Sequence, residues 1–309
     1  MTSLTRTVSP WKLRTRSLEP GRRTLVMGVI NITPDSFSDG GLFLAPEAAA
    51  ARALQLFDEG ADLIDLGAES TRPGSQAGNA TEAAVSSAAR VSTNEEQARL
   101  LPVIEAILAA RPDAILSADT YKSATARAAL AAGVEIINDV SGFCWDKTMP
   151  SVCAQSACGV VLMHTRGRPD QWRAQEKLPA DVLIETIRAG LSASYEIATR
   201  AGIAPEAIVL DPGYGFGKKF DENYTMLARQ AELLALGRPL LAGVSRKSFL
   251  GRTLAPLFGG TQAPIEARQT AGIAALVAAI LHGASIVRVH DVRPAVEAAR
   301  IADAILAAD

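Results

Sequence analysis

Eight short apolar runs, each followed by an Ala-rich stretch with helical spacing, constrain this chain more than any other feature. The runs are Thr24–Ile30, Asp62–Leu66, Ala114–Ala118, Val134–Ile137, Val160–Met163, Ala207–Leu210, Pro239–Ala242 and Ser285–Val289. They are rich in Val and Ile and apolar on both faces, as a strand covered by helices must be. Helical patterns follow at 46–59, 94–110, 122–132, 150–157, 179–201, 222–236, 264–282 and 293–308. Eight strand–helix pairs predict an α/β fold, a closed (β/α)8 TIM barrel over residues 24–309, with an N-terminal extension or hairpin over 1–23. A doubly wound open sheet is the alternative. The 309 residues suit one such barrel, which takes roughly 250.

The connections say which end of the barrel works. Segments leading from helix to next strand are short and carry a Gly where the helix stops: Gly60, Gly133, Gly159, Gly202, Gly237 and Gly283. Gly takes the left-handed helix-stop conformation without a Cβ clash. Segments after the strands are long: Asn31–Ala45, Gly67–Thr93, His164–Leu178, Asp211–Asp221 and Gly243–Ala263. Long loops gathered at one end are where barrels place their chemistry. Within the second of them, Asn79–Arg90 is low in complexity and reads as a flexible excursion.

Composition excludes several classes of function. With 48% hydrophobic and 21% charged residues the chain is globular, and a net charge of −2 draws it to neither nucleic acid nor membrane. Cys144, Cys153 and Cys158 form no disulfide framework and read as buried thiols, and His164, His282 and His290 lie too far apart for a zinc motif. No run is long enough to span a bilayer, and the Arg-rich residues 1–23 read as a solvated strand or hairpin rather than a transit peptide. The expectation is a soluble cytoplasmic protein.

Polar residues stand at the end of nearly every apolar run. Asn31 follows the first, Glu69-Ser70-Thr71-Arg72 the second, Asp119 the third, and Asn138-Asp139 the fourth. His164 and Asp211 follow the fifth and sixth, Ser245-Arg246-Lys247-Ser248 the seventh, and Arg288 with His290 closes the eighth. Converging on one barrel face, they are expected to line a pocket. Arg72, Arg288 and His290 supply cationic donors suited to phosphate oxygens, unless they are spent pairing with Asp291, Glu69 or Asp139. Asp119, Asn138, Asp211 and Lys247 mix acceptors and donors in a way that suits a flat heterocycle with several N–H and C=O groups. The run Gly213-Tyr214-Gly215-Phe216-Gly217-Lys218 has neither the Walker spacing nor the dinucleotide fingerprint, and no residue is placed as a nucleophile with its base.

These polar positions fall inside longer runs. Met27-Gly28-Val29-Ile30-Asn31-Ile32-Thr33-Pro34-Asp35-Ser36-Phe37-Ser38-Asp39-Gly40-Gly41 resembles the first signature of the dihydropteroate synthases, and Asp65-Leu66-Gly67-Ala68-Glu69-Ser70-Thr71-Arg72-Pro73-Gly74 resembles the second. Ala118-Asp119-Thr120, Ile136-Ile137-Asn138-Asp139, Leu210 to Lys218, Ser245 to Ser248 and Arg288-Val289-His290-Asp291-Val292 complete the family order, over about residues 24–308.

The resemblance implies a transferase of an alkyl group other than methyl, working in folate synthesis on a (β/α)8 barrel. It would join 6-hydroxymethyl-7,8-dihydropterin diphosphate to p-aminobenzoate, releasing diphosphate. Carried over by position, Asp119, Asn138, Met163, Asp211, Lys247 and Arg288 would bind the pterin. Asn31, Arg72, Arg288 and His290 would bind diphosphate, with Asn31 ligating Mg2+. Thr71, Pro73, Phe216 and Ser248 would face p-aminobenzoate. Loops around Thr33–Asp39 and Gly67–Gly74 would order as substrates bind, and a homodimer, sulfonamide inhibition and the absence of nucleic-acid or membrane partners are further family-level expectations. Two departures stand out: Ala68 replaces a frequent second Gly, and Met163-His164-Thr165 replaces Met-His-Met, leaving His164 without a role. The rival readings are a methyltetrahydrofolate–corrinoid methyltransferase, which shares a related pocket, and a non-catalytic pterin-binding paralogue.

Overall fold

The computed structural model describes residues 8–32, 46–69 and 91–308. Within them the chain runs as β1 (Trp11–Lys12), β2 (Ser17–Leu18), β3 (Leu25–Asn31), α1 (Pro46–Asp58), β4 (Leu63–Gly67), α2 (Thr93–Ala110), β5 (Leu116–Asp119) and α3 (Ser123–Ala131). It continues as β6 (Ile136–Asp139), α4 (Met149–Ser156), β7 (Gly159–Met163), α5 (Ala180–Arg200), β8 (Ile208–Asp211), α6 (Phe220–Arg229), β9 (Leu240–Ala242), α7 (Ser248–Thr253), β10 (Ala284–Val289) and α9 (Val292–Leu306), with α8 (Gln269–Leu281) between α7 and β10. Strands β3 to β10 pair in parallel, in chain order, and β10 closes on β3: the barrel is shut and the open-sheet alternative is excluded. The seam is thinnest at β8–β9, where Leu210 and Leu240 are partners.

Every barrel strand is buried along almost its whole length, which explains the unbroken apolar runs. One side chain in two points inward. The inward residues nearest the N-terminal end are Leu25, Met27, Leu63, Ile115, Ile136, Val161, Val209, Leu241 and Ile286, packed as one cluster. This floor is stoppered from below by the β1–β2 hairpin, whose Trp11 and Leu13 are 0% and 2% exposed within the same cluster. Trp11 Nε1 donates to the Ala207 carbonyl at 3.1 Å, and Glu135 accepts from the Thr15 N–H and Oγ1 at 3.0 and 2.6 Å and pairs with Arg16. The reading of this segment as solvated therefore needs correction at Trp11 and Leu13: apolar side chains seal the open floor of the barrel.

Of the predicted helix stops, Gly60, Gly133, Gly202, Gly237 and Gly283 adopt positive φ. Gly159 does not. Ala157 takes the left-handed position at the end of α4, and Gly159 instead opens β7, where a Cβ would lie 2.6 Å from Leu13 Cδ2. That glycine makes room for the hairpin. Two helical expectations also change. The pattern over 222–236 divides into α6 and a 3-10 turn over 230–236, and the loop Gly243–Ala263 holds the short α7. Among the described residues no helix is long and apolar enough to cross a membrane.

Candidate active site

The site is one layer above the floor. Two residues beyond each floor residue, on the same inward face, stand Val29, Asp65, Ser117, Asn138, Met163, Asp211, Gly243 and Arg288. A further step of two gives Asn31, Gly67, Asp119 and His290 at the rim. Asn31, Asp119, Asp139 and Asp211 are thus the last residues of their strands rather than the first of the loops, because their backbones still pair (Asn31 with Gly67, Asp119 with Asn138, Met163 with Asp211).

The same alternation removes two residues from the pocket. Asp139, next to Asn138, turns outward and accepts from the backbone N–H groups of Ser141 and Phe143 at 2.7 and 3.2 Å. His164, next to Met163, packs under α5, where a Cβ on Gly190 would lie 2.5 Å from its Cδ2. Burial, then Lys218 and Arg166, hold the His164 imidazole well below its ordinary pKa, so it is neutral.

Charges from opposite walls meet in the middle. Arg288 Nε donates to Asp65 Oδ2 at 2.6 Å and its Nη2 to Asp119 Oδ2 at 2.7 Å. Asn138 Nδ2 donates to the same Asp65 oxygen at 2.9 Å. The sequence-stated alternative partners for Arg288 and His290 are engaged elsewhere: Glu69 with Lys122 at 2.7 Å, Asp291 with Arg246 at 2.6 Å, and Asp139 with its own loop. Asp211 Oδ1 accepts from the Gly213 N–H at 2.7 Å. Lys247 caps α7 and lays its Nζ 4.0 Å from the centroid of the Phe216 ring. Ser248, the first residue of α7, is exposed beside it.

Burial dominates the ionisation of this group. It pushes the Asp119 carboxyl up to about 7, against the pull of Arg288 and with the push of Asp65. It raises Asp211 against the Gly213 N–H and Lys247, and lowers Lys247 to about 8 against Asp211. His290 falls to about 3, through burial first and then Arg288 and Arg246. His290 is therefore a neutral imidazole, and not the cationic donor expected from sequence. Its Nδ1 and its backbone N–H both meet Ser245 Oγ, at 3.2 and 3.3 Å.

Two inward positions, Gly67 at the rim and Gly243 one layer below, carry no side chain. A Cβ on Gly67 would lie 3.6 Å from Asp119, and one on Gly243 would lie 4.0 Å from both Arg288 Cβ and Asp211 Oδ2. The Met163 face is apolar: Met163 clusters with Tyr121 and Val140, with Trp145 and Phe216 packed against it. The result is a slot with polar edges and a greasy face, suited to a flat ring that donates and accepts along its edge. Lys218, which the motif reading left without a function, sits wholly inside the β8 loop and donates to the His164, Pro212 and Gly213 carbonyls at 2.8, 2.8 and 2.9 Å. It holds the turn that carries Asp211 and Phe216.

Of the residues predicted from sequence, Asp119, Asn138, Met163, Asp211, Lys247, Arg288 and Phe216 come together here, with Asn31 and His290 at the rim. Thr71, Arg72 and Pro73, the loop Thr33–Asp39 and the excursion Asn79–Arg90 lie outside the described residues. Sequence reasoning missed Asp65 and Ser117. The available signal was a carboxylate flanked by Ile64 and Leu66 in the middle of an otherwise apolar run.

Residues 27–290 match the family described as pterin binding enzyme. A dihydropteroate synthase of Synechocystis is 40% identical over 285 residues, covering 92% of this chain and 91% of that protein. The structure of a Yersinia pestis dihydropteroate synthase with a sulfonamide drug aligns with a TM-score of 0.84 at 37% identity, over 97% of this chain and 100% of that one. A Coxiella burnetii dihydropteroate synthase in complex with pteroic acid aligns with a TM-score of 0.82 at 32% identity, over 97% and 100%. The chain belongs to the pterin-binding enzyme family and, within it, to the dihydropteroate synthases.

Proposed function

We propose that this protein condenses 6-hydroxymethyl-7,8-dihydropterin diphosphate with p-aminobenzoate to give 7,8-dihydropteroate and diphosphate. The observation that carries the reading is the meeting of Asp119, Asn138, Asp211, Lys247 and Arg288 around the side-chain-free positions Gly67 and Gly243, against the Met163 face. The Coxiella relative's ligand, pteroic acid, contains a pterin joined to an aminobenzoate, and the slot has a polar edge for the first and an apolar exit past Phe216 for the second.

In this reading the carboxylates Asp119 and Asp211 accept N–H groups of the pterin, Asn138 and Lys247 meet its remaining acceptors and donors, and Met163 packs on the ring. The carbon–oxygen bond at the pterin methylene breaks with its electron pair going to diphosphate, while positive charge spreads into the electron-rich ring. The aromatic amine then forms the carbon–nitrogen bond and releases a proton to water. The amine is unprotonated at neutral pH, so the reaction asks for no strong side-chain base. Its demand is stabilisation of the departing anion. Arg288 has N–H groups left beyond those given to Asp65 and Asp119, and His290 contributes a neutral N–H, with Arg72 and the aminobenzoate contacts Thr71, Pro73 and Ser248 carried over by family position.

The donor set at the rim fits magnesium: Asn31 offers one hard carboxamide oxygen, and such an ion takes its other ligands from water and phosphate. Asn31 would hold it, and when bound it would neutralise diphosphate charge. We also infer a homodimer, supported by Ile301 and Ile305, which stand 64% and 51% exposed one helical turn apart on α9. Sedimentation of the purified protein tests this: a monomer at micromolar concentration overturns it.

A coupling assay with labelled p-aminobenzoate tests the activity. The expected result is labelled dihydropteroate, lost on chelation of magnesium and inhibited competitively by sulfonamides. Pterin binding without product would leave the non-catalytic paralogue, and methyl transfer from methyltetrahydrofolate would leave the corrinoid-linked enzyme.

A further inference from the structure

We propose that Asp65, on the inner face of β4, is a positioning residue that sets the orientation of the Asn138 amide and shares Arg288 with Asp119. The proposal deepens the functional reading above and rests on it. One Asp65 oxygen, Oδ2, accepts from both Asn138 Nδ2 and Arg288 Nε, at 2.9 and 2.6 Å. Arg288 in turn donates to Asp119 at 2.7 Å. Three residues assigned to the ligand are therefore tied to a fourth that shares the layer of Asn138 and Arg288, lies one layer below Asp119 and is itself 0% exposed.

The amide orientation follows from chemistry. An Asn side chain offers an oxygen on one side and N–H donors on the other, and only the donor side can face a carboxylate. With Nδ2 committed to Asp65, Asn138 Oδ1 is left as an acceptor for the ligand. The guanidinium is handled in the same way. A planar fork held at Nε cannot swing wholly onto Asp119, so Asp119 keeps acceptor capacity for a pterin N–H.

This placement has the marks of function rather than stability. Asp65 Oδ1 is buried without a hydrogen-bond partner among the described residues, as is Oγ of Ser117, its register partner on β5. Buried acceptors left unpaired are costly, and in a native core each calls for a reason. A well-packed apolar pair of similar volume would often serve a barrel core at least as well.

The test is titration with 6-hydroxymethylpterin, followed calorimetrically between pH 5.5 and 7.5, on wild type and Asp65→Asn. Asp119 is faced by Arg288, Asp65, Glu96 and Asp139, with Lys247 nearby, and burial sets its carboxyl near 7 in the wild type. Removing the Asp65 charge takes away a repelling neighbour and gives Asp119 a larger share of Arg288. Both changes lower the Asp119 pKa. We expect the midpoint of pH-dependent binding to move down by about one unit and affinity at pH 7.5 to fall about tenfold. An Asp65 that only sits nearby as a charge would move the midpoint without weakening binding at pH 7.5, so unchanged affinity there, or an unmoved midpoint, overturns the proposal. Should Asp65→Asn fail to fold, the wild-type Arg288 Nε–H nuclear magnetic resonance signal decides. Slow solvent exchange at pH 7.5 supports the anchor and rapid exchange overturns it. Wild-type protein that binds no pterin would overturn the functional reading instead, with the Arg288 signal still reporting on Asp65.

Discussion

The two ends of the barrel are made from the same strands and obey opposite rules. At the floor, each inward residue is apolar, Trp11 and Leu13 close the opening, and the polar groups of Trp11, Thr15 and Arg16 find partners in Ala207 and Glu135. One layer higher on those strands stand Asp65, Ser117, Asn138, Asp211 and Arg288, where Asp65 and Ser117 hold buried oxygens lacking partners among the described residues, and above them burial pushes the Asp119 carboxyl up to about 7. The floor is arranged to stay folded, whereas the mouth gives up some of that stability to hold charges away from water. A barrel permits this division because its ends share little but the strands between them.

That comparison can be broken from either side. The largest expected effect on folding is at the floor. Trp11→Ala should lower stability by about 3–5 kcal/mol, as truncation of a fully buried aromatic does. Thermal melts read this directly, and kcat/KM of the folded fraction should not change. If the melting temperature holds, the hairpin is not the stopper described above.

The mirror experiment is Asp211→Ala at the mouth. Pterin N–H groups would lose a charged acceptor, which at about 3 kcal/mol corresponds to roughly a hundredfold loss of affinity. Stability should stay within about 1 kcal/mol, because the native state holds this carboxylate against a burial penalty. Calorimetric titration and a melt on the same sample measure both; unchanged pterin affinity would remove Asp211 from the site.

Smaller, and opposite in sign for folding and binding, is the effect of pH through Asp119. Its carboxyl rises from 3.8 to about 7 on folding, so the stability it contributes is present below pH 3.8 and is lost as pH climbs through 7. Ligand binding wants the ionised form, so pterin affinity should fall as pH drops below 7. Affinity that rises instead on acidification would contradict the assignment of Asp119 as an acceptor.

The smallest effect is expected for Gly243→Ala. The added methyl meets Arg288 and Asp211 at an ordinary 4.0 Å, so folding should be untouched. Room in the slot shrinks, and KM for the pterin substrate should rise by a few fold with kcat retained. An unchanged KM would place the ring elsewhere.

Much of this was legible before any coordinates. Strand order, parallel pairing and the working end all follow from runs of Val and Ile, helix stops at Gly60 or Gly283, and the long loops that follow the strands. Those of the expected site residues that fall among the described residues stand at or just past the strand ends, on one end of the barrel. What escaped was mainly a matter of facing. The polar residues at the strand ends include Asp139 and His164 beside Asn138 and Met163, and strand register turns Asp139 and His164 away from the pocket that they were expected to line. Asp65 escaped because its partners Asn138 and Arg288 are remote in sequence, 73 and 223 positions away. Gly159 misled because a glycine beside a helix end has two uses, and the hairpin across the floor claimed it for the second.

The sequence by itself determined the eight repeated units, their parallel winding and the rim that carries the long loops, because period, propensity and turn residues act over a few positions along the chain. Only the tertiary structure decided that Arg288 divides itself between Asp65 and Asp119, that His290 is neutral, and that Trp11 stoppers the barrel. Those outcomes depend on how closing eight strands brings distant side chains together and strips them of water, and no local pattern encodes either.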